Sequence, residues 1–301
     1  MNMNFLIKYT GVAVLSAVFL VQAQTMRVYP KTSFWADYVV SSLDSISFVD
    51  SVIDSMRVYS KIGPISNFAL SGIDSVKFVA SDNFKGTYGT LVDTRDNQVY
   101  KTVVIGTQTW MAQNLNFGTY ISDGASSSVA QNGAQKFCYS NAELNCTADG
   151  GLYQWHTAMG FASSCATTSC SSQISTGNHQ GICPLGWHVP KAIEWDTLQT
   201  YLGGSTVAGS KMKLNNTGYS IWDASTYNNG NASGFSSLPA GYRFNFGGFF
   251  NRGNVANFWE ASESDASDSY DRYLLNGSSV LSYRYYGYGK VYGLSLRCVR
   301  D

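Results

Sequence analysis

Charge is scarce in this chain: only 13% of residues are Asp, Glu, Lys or Arg, and 20 of each sign cancel. Without a basic excess there is no electrostatic footprint for nucleic acid, which removes that class of partner. Proline is scarce too, 5 against 29 glycines, and together with 20 tyrosines this favours short strands joined by tight turns. The three histidines, His156, His179 and His188, stand in unrelated contexts. No G-x-S-x-G elbow is present for an activated serine. No cysteines pair at C-x-x-C spacing and no histidine falls at finger spacing, which argues against structural zinc. Beyond Ala23 no apolar run is long enough to span a bilayer. What is there, 44% apolar residues over 301 positions, supports a folded core and argues against disorder.

Residues 1–23 read as a secretory signal. Lys8 supplies the positive region, Gly11 to Val21 the apolar run, and Val21-Gln22-Ala23 the positions before cleavage, with the mature chain starting at Gln24. The run is too short for a membrane anchor, and no cysteine sits nearby for lipid attachment. Export then places Cys138, Cys146, Cys165, Cys170, Cys183 and Cys298 where thiols oxidise. Six cysteines allow 15 connectivities. The preferred set is Cys138–Cys146 and Cys165–Cys170 as local staples with Cys183–Cys298 as a long closure. That last bridge encloses about 115 residues, for which chain entropy gives about 4 to 5 kcal/mol.

Residues 24–80 hold a duplication with a period of about 30. Met26-Arg27-Val28-Tyr29 returns as Met56-Arg57-Val58-Tyr59, and Leu43-Asp44-Ser45 returns as Ile73-Asp74-Ser75. Each copy alternates apolar and polar residues, the mark of half-buried strands, and the Asp-Ser step reads as a turn. Two copies are too few for a solenoid, so a small β-layer acting as spacer or dock is expected. Its open strand edges also suit a partner strand. Residues 81–86 form the expected linker, and 87–301 a second domain.

In that domain Gly89 to Asp93 and Asp96 to Ile105 read as strands around a turn, with Trp110 and Leu115 as core anchors. Leu152 to Met159 suggests a short helix, and residues 160–180 a Ser/Thr-rich loop. After Pro190, Trp195, Leu198 and Leu202 fall on one helical face, ended by Gly203-Gly204. The fold class is α+β.

The chain resembles the Fibrobacter succinogenes major paralogous domain, exported bacterial proteins of largely unassigned role. The resemblance is carried by Asp96 to Tyr100, Gly106 to Leu115, Gly186-Trp187-His188-Val189-Pro190, Glu194-Trp195, Gly234 to Arg243 and Arg297 to Asp301. It implies a mixed domain of short strands and few helices, similar to C-type lectins and formylglycine-generating enzymes. Lys191 departs from the pattern, since a hydroxyl residue more often caps the helix there. An oxidase of the formylglycine-generating kind would need reactive thiolates, and here every cysteine has a disulfide partner to hand.

No catalytic residue and no cofactor is assigned, and His156 and His188 read as structural. Trp259, Tyr283, Tyr285, Tyr286, Arg243 and Arg284 are the expected ligand contacts, because tyrosine and tryptophan offer rigid area with a polar tip. Alternation over residues 283–288 puts Tyr283 and Tyr285 on one face and Tyr286 and Tyr288 on the other. Glu260, Glu263, Asp265 and Asp268, read as a loop, offer oxygen ligands to calcium; the competing reading is a solvated acidic loop. No EF-hand spacing and no sugar-binding tripeptide of calcium-dependent lectins is present. The expected function is a secreted or cell-surface binding module for carbohydrate or a surface protein. The alternatives are a structural subunit of a surface assembly or adhesin, and third the oxidase.

Overall fold

The computed structural model describes residues 84–122, 133–214, 222, 230–285 and 287–301 in full, and the backbone of six strands within residues 25–79. The expected signal, Tyr286 and residues 81–83 of the expected linker lie outside the described residues. The chain divides into two units between Ser81 and Asp82.

The first unit contains β1 (Thr25–Pro30), β2 (Ala36–Val39), β3 (Leu43–Val49), β4 (Ser55–Ser60), β5 (Ser66–Ala69) and β6 (Ile73–Val79). They make two three-stranded antiparallel sheets, ordered β2-β1-β6 and β3-β4-β5. The Asp-Ser step is not a turn. Leu43 lies opposite Ser60 and Ser45 opposite Tyr59, so Asp44 is the extra residue of a bulge. Asp74 is passed over in the same way between Ile73, opposite Pro30, and Ser75, opposite Tyr29.

The second unit mixes strands with four α-helices among its described residues. Its main sheet begins with β7 (Gly89–Val92), β8 (Val99–Ile105) and β9 (Gln108–Met111). The turn before β8 closes with Asn97 N–H donating to Asp93 O at 2.7 Å. Asn97 takes a φ of 61°, a left-handed conformation asparagine tolerates. The polar excursion that follows carries the two-residue β10 (Thr119–Tyr120) and β11 (Gln135–Lys136), and α1 (Glu143–Asp149), a helix the sequence did not announce. The expected helix over 152–159 narrows to α2 (Trp155–Ala158).

Next comes β12 (Trp187–His188), then α3 (Ala192–Tyr201) and α4 (Ser205–Met212). Trp195, Leu198 and Leu202 are buried as their spacing requires. Lys191 is the N-cap and caps with no side-chain hydrogen bond of its own; Glu194 makes the return half of a capping box, its carboxylate accepting the Lys191 N–H at 2.9 Å. The remaining strands are β13 (Tyr242–Arg243), β14 (Phe249–Phe250), β15 (Val255–Glu263), β16 (Asp268–Leu275), β17 (Ser282–Tyr283), β18 (Tyr288–Gly289) and β19 (Val299–Arg300).

The terminal β19 lies between β12 and β9 in a sheet ordered β12-β19-β9-β8-β7. All three expected disulfides form, and Cys183–Cys298 ties the segment before β12 to the segment before β19. β15 is buried on both sides. Ala256 and Phe258 enter a cluster with Trp195, Leu198 and Met212, while Trp259 and Ala261 enter another with Trp155, Leu296 and the Cys183–Cys298 bridge. A strand sandwiched this way presents side chains to two cores by its two-residue repeat.

Candidate functional site

The β13–β14 hairpin carries the aromatics that define the site. Tyr242 precedes Arg243, Phe244 follows it, Phe246 stands at the tip, and Phe250 returns on β14. Gly247 and Gly248, at φ 91° and 81°, let the chain reverse while Phe244 N–H bonds Gly248 O at 2.9 Å. From the tip inward the rings touch in series. Phe246 meets Phe244 with centroids 5.8 Å apart, Phe244 meets Tyr292 edge-on at 5.1 Å, and Tyr292 meets Tyr288 at 4.3 Å. Tyr242 closes the array edge-on against Tyr288 at 5.9 Å. Its outer end is open to solvent, with Phe246 69% and Phe250 48% exposed.

The inner end borders a cleft of about 420 Å³ lined by Thr167, Asn245, Ser267, Asp268, Tyr288 and Tyr292. Asn245 Oδ1 is enclosed there without a hydrogen-bond partner among the described residues. Burial, with Tyr242 beside them, raises the phenols of Tyr288 and Tyr292, so both remain neutral hydroxyls at physiological pH. Aromatic faces beside carboxylate, amide and hydroxyl groups form a surface that stacks on a ring and hydrogen-bonds its rim.

Two devices hold the cleft. Gly287, at φ 81°, packs so closely on the β15–β16 hairpin that a Cβ would stand 3.0 Å from Ser264 Cβ and Ser269 O. Between the cleft-lining Gly289 and Val291, fully buried Lys290 donates to Glu263 at 2.7 Å and to Ala266 O at 2.8 Å. Glu263 also accepts from Ser169 Oγ at 2.7 Å and from the Cys170 amide at 2.6 Å. Burial alone would raise the Glu263 carboxyl, but these three hydrogen bonds, from Lys290, the Cys170 amide and Ser169, and the ammonium charge hold it below the usual range. The loop closed by Cys165–Cys170, which brings Thr167 to the cleft, is thereby fastened to the end of β15.

Several expected site residues lie elsewhere. Trp259 is wholly buried, with its indole N–H on Tyr153 O at 2.7 Å, because β15 is interior on both faces. Arg243 is also fully buried, with its guanidinium 4.2 Å from the Phe137 ring and bonded to Val291 O at 3.2 Å. Neither is a surface contact.

Residues 283–288 do not run as one strand, since β17 and β18 flank a turn. Tyr283 and Tyr285 are exposed, at 55% and 73%, but do not line the cleft. Arg284 lies between the Tyr273 and Tyr288 rings, 4.4 and 4.1 Å from their centroids, and pairs with the buried Asp271 carboxylate. Asp271 is raised by burial, against the pull of Arg284.

The four carboxylates expected to take calcium do not converge. Glu260 is buried against Arg272, which also bonds Asp196 at 2.9 Å, and burial raises its carboxyl despite that partner. Glu263 is committed to Lys290. Asp265 and Asp268 belong to the hairpin turn, where Asp265 Oδ1 accepts from the Ser267 and Asp268 amides at 2.8 and 2.9 Å. The segment is a two-stranded hairpin, not a loop, its pairing shifts register between Trp259 and Glu263, and the two glutamates are taken by different cations, Glu260 by Arg272 and Glu263 by Lys290. Among the described residues no group of three or more His, Cys, Asp or Glu is placed to hold a metal ion.

His188 is buried between two carboxylates, with Nδ1 2.7 Å from Asp301 Oδ1 and Nε2 2.8 Å from Glu194 Oε1. This fastens the last residue to the start of α3, a structural role. Sequence reading missed Tyr242, Phe244, Phe246 and Phe250. The available signal was five aromatics flanking Gly247-Gly248 (Tyr242, Phe244, Phe246, Phe249 and Phe250), an aromatic hairpin.

Residues 103–300 match the family described as the Fibrobacter succinogenes major domain. No curated protein and no solved structure matches the chain.

Proposed function

The chain belongs to the Fibrobacter succinogenes major domain family, and from the geometry of its cleft we propose that it is an exported, non-catalytic binding protein for carbohydrate. The observation that carries this reading is the unbroken aromatic series from exposed Phe246 to Tyr288, ending beside Asp268 and the unpartnered Asn245 oxygen. A pyranose offers an apolar face to such rings and a rim of hydroxyls to carboxylate and amide groups. In this reading the fold is of the C-type lectin-like kind. The adjacency of the terminal strand to β12, the Cys183–Cys298 closure and the long β15–β16 hairpin support it. The oxidase alternative requires free thiolates, whereas all six cysteines are paired. A glycan array probed with the full mature chain tests the proposal. Selective retention of a glycan class, lost in a Phe246→Ala/Tyr292→Ala double variant, supports it; equal retention by the variant or no retention at all rejects it.

A further inference from the structure

The two repeats of the first unit are not two sheets side by side in sequence. The sheet β2-β1-β6 takes its first two strands from the first repeat and its third from the second, and β3-β4-β5 is the converse. The exchange keeps identical register. Met26 faces Tyr38 on one side and Phe78 on the other, and Met56 faces Phe68 and Phe48. Each third strand therefore lies on the other repeat's first strand in the place its own copy would fill.

Connection length explains why. β2 and β3 each run antiparallel to the first strand of a repeat, so if both flanked β1 they would be parallel neighbours across it. Parallel strands of that kind need a crossover of about a dozen residues. Residues 40–42 are all that separate Val39 from Leu43. Val39 lies opposite Thr25, while self-closure would put Leu43 opposite Pro30, the far end of β1 and the equivalent of its actual partner Ser60. That is about 17 Å along the strand and about 10 Å across it. Four Cα steps reach about 14 Å at most. A single repeat cannot close on itself.

We infer that each repeat is half of a reciprocal strand-exchange coupler, and that its fitting partner is another repeat of the same pattern. In this chain the partner is in cis; on a chain with one repeat it is a second copy. Residues 24–80 are thus an association module whose state is set by repeat number, separately from the cleft. The test deletes residues 51–80 from the full chain, leaving one repeat joined to the second unit, and measures mass by sedimentation equilibrium. The expected result is twice the subunit stoichiometry of the intact chain. Inserting about 12 Gly/Ser residues between Val39 and Leu43 of that one-repeat variant supplies the missing crossover, and should restore the intact chain's stoichiometry. An unchanged stoichiometry in the deletion variant overturns the inference, including the case where the lone repeat simply unfolds. So does doubling that persists after the insertion.

Discussion

Arg297 donates its Nε–H to Asn114 Oδ1 at 2.6 Å, across 183 residues of sequence, and both side chains are buried. Its other acceptors are neutral as well: Met111 O at 3.1 Å, Ser236 O at 2.8 Å and Phe235 O. Burial pushes the guanidinium down to about 9, which leaves it charged at neutral pH, and the Phe235 ring lies 4.6 Å beneath it. One side chain thereby joins β9, the Phe235–Ser236 turn and the approach to β19. Arg297→Met removes the donors but leaves the carbonyls buried, at about 1 to 3 kcal/mol for each group left unpaired. The expected loss is about 3 to 5 kcal/mol by urea denaturation, with Arg297→Lys recovering only part. A loss under about 1 kcal/mol in Arg297→Met would show these carbonyls find other donors.

Acid stability has a readable sign at Glu194. Burial alone would raise this carboxyl, but hydrogen bonds from His188 and the Lys191 amide outweigh it and hold it below its ordinary 4.5. A folded value below the unfolded one means stability that is complete above about 4.5 and drains away as pH falls through the folded value. Glu194→Gln is therefore expected to be less stable at neutral pH by about 1.5 to 3 kcal/mol. The gap from the parent should close below about pH 4.5. Glu260 is shifted the other way by burial, so its ionised form costs stability as pH rises through its folded value. A Glu194→Gln gap that stays constant into acid would refute the assignment.

The sequence shows what obeys periodicity and hides what obeys contact. Trp195, Leu198 and Leu202 at helical spacing announced α3, and the cysteine order allowed the three bridges to be named. Trp259, by contrast, reads as a ligand contact because its ring offers rigid area with a polar tip, yet β15 has a core on each side. Charge also misled. Arg243, Lys290 and Arg297 are buried because carbonyl and carboxylate acceptors from distant segments surround them, and no local pattern reports that. Lys213 is a further case, with its ammonium on Leu275 O, Asn276 O and Ser278 O, 62 to 65 residues away. The cleft was illegible for the same reason: its aromatics come from a hairpin and from a segment some 40 residues later.

The cleft reading separates tyrosines that look alike in sequence. Tyr292 lines the cleft and touches Phe244 and Tyr288, whereas Tyr285 is 73% exposed outside it. For a glycan retained by the parent chain, Tyr292→Ala is expected to weaken binding about tenfold, the equivalent of about 1.4 kcal/mol. Tyr285→Ala should leave affinity within about twofold. Titration calorimetry on the two variants decides the matter. A larger loss at Tyr285 than at Tyr292 would move the site from the cleft to the β17–β18 turn.

Gly209 tests packing against propensity within one helix. It sits inside α4, where glycine costs about 1 kcal/mol relative to alanine, so propensity alone favours Gly209→Ala by that amount. The added methyl would stand 2.5 Å from Val280 O and 2.9 Å from Leu274 Cδ2. The Val280 carbonyl cannot easily retreat, because its flanks are fixed to the same helix. Ser210 N–H bonds Ser279 O at 3.1 Å, and Leu281 N–H bonds Ser205 O at 3.0 Å. Overpacking against backbone costs about 1 to 3 kcal/mol, which exceeds the propensity gain. Gly209→Ala is therefore expected to lower the melting temperature, while Thr206→Ala on the exposed face of the same helix leaves it unchanged or slightly higher. A Gly209→Ala protein more stable than its parent would mean that the 278–281 segment yields, and that its contact with α4 is looser than the hydrogen bonds imply.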